Sequence, residues 1–140
     1  MGAGRRSYRS HLKTAVATSA APYGYTLTVW TSGAVTTHAL GIPTAWEALL
    51  FLAGAVTGFG VTAALAYGLP TEILASPEPG SVRLWGGFHV VSVGLAIGAA
   101  ALVTTLITDP VAWMIVGFVA TLVYLVGIAA QFTLADARGP

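Results

Sequence analysis

Hydroxyl side chains and a histidine are concentrated in one short stretch of this sequence. Residues 25–41 read YTLTVWTSGAVTTHALG and hold six Ser or Thr hydroxyls together with His38. On a helix turning about 100° per residue, Thr31, Ser32 and His38 all lie within about 80° of Thr28. Such a polar stripe offers hydrogen bonds to water, to a polar solute or to a neighbouring helix.

Glu47 and His89 are the other ionisable candidates. Glu47 follows Thr44 by three residues, which is the spacing of a capping box at the start of a helix. His38 would end one helix and Glu47 would begin the next, so this pair is expected together at one mouth of the protein. His89 begins a later apolar stretch, shares a helix face with Ser92, and is expected near the opposite side.

The composition places these side chains in a membrane protein. Apolar residues make up 56% of the 140 residues and charged residues only 8%, with a mean hydropathy of +0.80. Soluble domains carry about 25% charged residues. Uncharged stretches cover 14–46, 48–71, 84–108 and 110–135. Each is longer than the ~20 residues that a helix needs to cross the hydrocarbon layer, so an all-α integral membrane protein is predicted.

Four transmembrane helices are predicted in a single domain that covers 1–140. They are placed at about 22–40, 45–69, 84–108 and 111–133. The loop at 70–83 contains three prolines and separates two helical hairpins. Segment 1–21 holds most of the basic residues, namely Arg5, Arg6, Arg9 and Lys13. The positive-inside rule therefore predicts a multi-pass protein of the cell membrane with both termini in the cytoplasm.

Two glycine pairs predict close contacts between helices. Gly54 and Gly58 form one GxxxG motif in the second span, and Gly94 and Gly98 form another in the third. Small residues allow helix backbones to approach closely in lipid, where no hydrophobic force draws helices together. Both pairs are therefore predicted to mark helix–helix interfaces, either within one chain or between copies in a homo-oligomer.

Several kinds of chemistry have no support in the sequence. Cysteine is absent, and there is no H-E-x-x-H, G-x-S-x-G or Gly-rich phosphate loop. His38 and His89 are expected near opposite sides of the membrane, which disfavours a metal or haem site within one chain. We therefore expect no enzyme activity, no cofactor and no nucleic acid as partner. The expected partners are the lipid bilayer, further copies of the chain and a small solute or ion.

The leading hypothesis is a small homo-oligomeric channel or transporter for a small polar solute or ion. The residues expected to line the path or bind the solute are Thr28, Thr31, Ser32, His38, Glu47 and His89. The alternative is a non-transporting accessory or assembly subunit of a larger membrane complex, whose polar stripe holds helices together.

A ligand or cofactor binder is a third hypothesis, and an irregular segment at 25–32 is an alternative to the first helix. A stripe around a symmetry axis would support conduction. A stripe buried inside one chain would support its role in helix packing.

Overall fold

The computed structural model describes residues 22–67 and 89–137. These residues form four α-helices. They are α1 at 22–40, α2 at Ala45–Tyr67, α3 at His89–Leu106 and α4 at Val111–Ala137. The predicted all-α class is thus confirmed for the described part of the chain. The basic segment 1–21 and the loop at 70–83 lie outside the described residues.

Three of these helices are long and apolar enough to cross a membrane. The candidate spans are Ala45–Ala66 in α2, His89–Leu106 in α3 and Val111–Gln131 in α4. The chain is therefore a membrane-embedded helical protein. The helix α1 is not among the three, because its hydroxyls and His38 lower its hydropathy.

The helix α1 is regular throughout, including the stretch at 25–32 that alternates like a strand. Four of its five threonines fold their hydroxyls back onto the preceding turn: Thr28 Oγ1 donates to the carbonyl of Gly24 at 2.9 Å, and Thr36 Oγ1 to that of Ser32 at 2.7 Å. Thr26 and Thr31 donate in the same way to Pro22 and Leu27. Such bonds satisfy hydroxyls inside a helix without any external partner.

A short turn joins α1 to α2. Gly41 adopts a positive φ of 94°, a conformation that favours glycine, and its amide donates to the carbonyl of Thr37 at 2.9 Å. The predicted capping box then starts α2 and is confirmed. The Thr44 amide donates to Glu47 Oε2 at 2.7 Å, while the Glu47 amide donates to Thr44 Oγ1 at 3.3 Å.

The helix α4 packs against both α2 and α3. Its contact with α2 depends on glycines on both sides. A Cβ atom at Gly54 would overlap the carbonyl oxygen of Met114, and a Cβ at Gly117 would overlap that of Phe51. The two backbones therefore approach as closely as only glycine permits.

Buried residues on α1, α3 and α4 recur every four positions, and most of them are small. In α1 this row is Gly24, Thr28, Ser32 and Thr36; in α3 it is Ser92, Ala96, Ala100 and Thr104; in α4 it is Ala112, Val116, Ala120 and Tyr124. Large apolar side chains instead cover the outside of the described chain. A small and partly polar interior within an apolar exterior is typical of helix packing in lipid.

Candidate functional site

The polar side chains of α1, α3 and α4 meet near the start of α1. Tyr25 Oη lies 3.3 Å from Thr121 Oγ1, and the rings of Tyr25 and Tyr124 lie 5.9 Å apart at 47°. A Cβ atom at Gly24 would overlap Tyr124 Oη and would lie 3.4 Å from the Cβ of His89. Three helices thus bring a histidine, two tyrosines and a threonine to one level of the bundle.

In the described part of the chain, three buried side-chain atoms of α1 and α3 have no hydrogen-bond partner. They are Ser32 Oγ, His89 Nδ1 and Ser92 Oγ. Ser92 faces the backbone of α4, since a Cβ at Gly127 would lie only 2.9 Å from its hydroxyl oxygen. An unsatisfied buried group costs about 1–3 kcal/mol, so these atoms are the least favourable part of the interior.

The hydroxyl row of α1 is not only buried but dry. Thr28, Ser32 and Thr36 each have 0% exposure, as does Ser92 on α3. A side chain with no accessible surface does not border a space large enough for a water molecule. The polar row therefore contacts protein within the single chain.

The structure divides the six predicted site residues into separate groups. Thr28, Ser32 and His89 lie inside the bundle, whereas His38 is exposed near the end of α1. Thr31 is half-buried, and its hydroxyl bonds within its own helix.

Glu47 does not join any of these groups. Its carboxylate accepts from the amide and the hydroxyl of Thr44, at 2.7 and 2.8 Å. Among the described residues, no hydrogen bond joins Glu47 to His38. The geometry therefore does not form the His–Glu pair expected at one mouth.

The two predicted glycine pairs have different surroundings. Gly54 and Gly58 face α4, where a Cβ at Gly58 would lie 2.8 Å from the Phe118 carbonyl oxygen. Gly94 and Gly98 are exposed on α3, and no described residue lies within 4 Å of a Cβ added at either position. The inward face of α3 is instead the face that contains His89 and Ser92.

Sequence reasoning missed two of the buried hydroxyls. Thr36 and Thr104 are 0% and 7% exposed, yet neither was expected at the site. The signal that identifies them is the spacing of small residues every four positions, which Thr36 continues in α1 and Thr104 continues in α3. This spacing places small side chains along the whole length of one helix face.

A separate groove of about 830 Å³ opens between α1 and α2. Most of its wall is apolar, and its polar residues are Thr37 and His38. It is lined by Val29, Trp30, Gly33, Ala34, Thr37, His38, Pro43, Ala48, Phe51 and Trp113. Within the described chain, no three His, Asp or Glu side chains come together in a way that could hold a metal.

These features define a class, that of helical membrane proteins with a closely packed and partly polar interior. Comparisons with protein-family models, with curated protein sequences and with solved structures find no match to this chain.

Proposed function

We propose that the protein is a non-transporting accessory or assembly subunit of a larger membrane complex. The observation that supports this role is the burial of the α1 hydroxyl row inside a single chain. Thr28, Ser32 and Thr36 have no exposed surface, so they offer nothing to a solute at an axis between copies. Their chemistry serves the packing of α1 against its own chain.

A second observation supports assembly with another helix. Val91, Gly94, Gly98 and Leu102 lie within about 80° of one another on α3, and all four are exposed. We name this surface the α3 glycine face. Glycines at four-residue spacing allow a second helix to approach closely, and van der Waals contact is the main source of association in lipid.

The proposal includes the position of the chain in the membrane. The helix α1 would be the fourth span, held beside three helices that are apolar enough to cross. Four spans place both termini on one side, and the basic cluster in 1–21 would place that side in the cytoplasm of a cell-membrane protein.

Substitution of Gly98 by leucine tests the assembly role. The protein is purified from its native membranes in a mild detergent, and the composition of the complex is measured by quantitative mass spectrometry. We expect a stoichiometric partner with the natural chain and its loss with Gly98→Leu, because a larger side chain keeps the partner backbone away. Gly60→Leu is the matched control, since Gly60 is also exposed and has nothing within 4 Å.

The proposed role also predicts an inactive protein in isolation. Liposomes containing the pure chain should take up small neutral solutes and ions no faster than empty liposomes. If no partner accompanies the natural chain and the pure protein conducts, the accessory role is wrong.

A homo-oligomeric channel or transporter for a small polar solute or ion is the second candidate. The unpartnered atoms of Ser32, His89 and Ser92 favour it, because a different conformation that admits water would satisfy them. Exposed His38 would then stand at one mouth. Uptake that is abolished by replacing these three side chains would establish this alternative over the accessory role.

A further inference from the structure

The groove between α1 and α2 has the size of a ligand site. Its volume of about 830 Å³ falls within the ~300–1,000 Å³ of pockets that bind small molecules. It lies where α1 ends at residue 40 and α2 begins at Ala45, so one end of the groove is near the end of the bundle. The inference concerns a lipid ligand and does not depend on the proposed assembly role.

The walls of the groove suit an apolar chain. Gly33 and Ala34 leave open space, and nothing lies within 4 Å of a Cβ added at Gly33. Trp30, Phe51 and Trp113 supply aromatic surface around this space. The rings of Phe51 and Trp113 lie 6.4 Å apart at 73°, in an edge-to-face arrangement that fixes one wall.

The polar end of the groove offers free hydrogen-bond donors. Thr26, Thr28, Thr31 and Thr36 return their hydroxyls to carbonyls of α1. Thr37 is different, since no described residue bonds to its hydroxyl, and His38 beside it is exposed and equally unpartnered. Both lie within about one helical turn of the end of α1 at residue 40.

This arrangement matches one class of molecule. We propose that the groove holds an acyl chain of a bilayer phospholipid, with the phosphate accepting hydrogen bonds from the Thr37 hydroxyl and the His38 ring N–H. No carboxylate is among the residues that line the groove. The apolar side chains of Leu49 and Leu52 are also exposed on α2.

Gly33→Leu tests the chain site with little risk to the fold. A Cβ at this position meets open space, so a leucine there narrows the groove without displacing a neighbour. Gly60→Leu makes the same change on α2, away from the groove and equally free of contacts. The double variant Thr37→Val, His38→Leu removes the headgroup donors and leaves the apolar walls in place.

Fluorescence quenching in vesicles measures occupancy. Trp113 is only 4% exposed, and it becomes the sole tryptophan when Trp30, Trp46 and Trp85 are replaced by phenylalanine. Vesicles of phosphatidylcholine with brominated acyl chains should quench Trp113, because the groove brings a chain against its ring. We expect Gly33→Leu to remove the quenching and Gly60→Leu to preserve it. Equal quenching in all three proteins would overturn the proposal.

Native mass spectrometry after extraction in a mild detergent identifies the occupant. One phosphatidylcholine molecule should remain on the chain, and it should be lost from both the Gly33→Leu variant and the headgroup variant. Retention of a prenyl quinone, or of a second copy of the chain without lipid, would overturn the phospholipid assignment. These readouts require neither a partner protein nor solute flux, so their failure is distinct from failure of the proposed function.

Discussion

The Gly117→Ala variant should be strongly destabilised although it adds only a methyl group. Its Cβ would overlap the carbonyl oxygen of Phe51 and would lie 3.0 Å from the amide nitrogen of Ala55. Both atoms belong to the backbone of α2, so no change of rotamer relieves the overlap and the two helices must separate. Overpacking of this kind costs about 1–3 kcal/mol, and the loss of free energy of unfolding is expected at or above the upper end.

The direction of this effect opposes helix propensity. An alanine in place of glycine within a helix stabilises it by about 1 kcal/mol where nothing is in the way. Gly98→Ala is therefore the matched control, because a Cβ at Gly98 has nothing within 4 Å. Unfolding of the two variants by sodium dodecyl sulfate in mixed micelles, followed by tryptophan fluorescence, gives the comparison.

The partner glycine on α2 allows a second check. Gly54→Ala should lower stability as Gly117→Ala does, since its Cβ would overlap the carbonyl oxygen of Met114. The double variant should cost less than the sum of the two losses, because either change already separates the same pair of helices. Equal stability of Gly117→Ala and Gly98→Ala would show that α2 and α4 do not pack as described.

Much of the helical framework was predictable from the sequence, because its signals are local. Uncharged stretches located the apolar helices, and the described start of α2 agrees with the predicted span at 45–69. The start of α2 followed from Thr44 and Glu47, whose side chains and backbone bond to each other across three residues. The location of the apolar helices and the start of α2 both depend on nearby residues in the sequence and not on contacts with other helices.

The rotation of each helix about its own axis was less predictable. The helix α3 has two faces that carry small residues, one with Gly94 and Gly98 and one with Ser92 and Ala96. The second face is the buried one. In water an apolar stripe would decide which face turns inward. In lipid both faces are tolerated outside, so the choice depends on the shape of α4, which the sequence of α3 does not contain.

In the candidate site, too, the sequence predicted which residues share a helix face but not what that face contacts. The sequence placed Thr28 and Ser32 on one face of α1, and the structure keeps them on one face. It did not show whether that face meets water or protein, because a hydroxyl bonded to its own helix is compatible with either. Nor did it separate His38 from Ser32, since each lies within about 80° of Thr28, and the arc of about 120° between them spans both the buried row and the exposed edge of a helix.

Removal of the unpartnered hydroxyls should stabilise the protein, which is the reverse of the usual effect of a core substitution. Ser32→Ala and Ser92→Ala delete oxygen atoms that are buried without a partner and leave nearly the same shape. In the detergent-unfolded state the helices persist, and a serine hydroxyl there reaches water or its own backbone. Each alanine should therefore raise the free energy of unfolding by about 1 kcal/mol, within the cost of an unsatisfied buried group.

Thr28→Val is the control for this second prediction. Thr28 is equally buried, but its hydroxyl donates to the carbonyl of Gly24 at 2.9 Å, so the bond is available in the folded and the unfolded state alike. Valine keeps the shape of the side chain, and stability should remain close to that of the natural protein. Detergent titration of the three variants under one set of conditions measures the differences.

The sign of the serine result separates the two proposed functions. A gain in stability from both substitutions means that Ser32 and Ser92 have no partner in the bilayer, as expected of a dry packing interface in an accessory subunit. A loss from both, with Thr28→Val unchanged, would mean that water or a solute satisfies these hydroxyls. The interior of the bundle would then have to open to a size that admits water, and conduction through it would become the better account of this polar row.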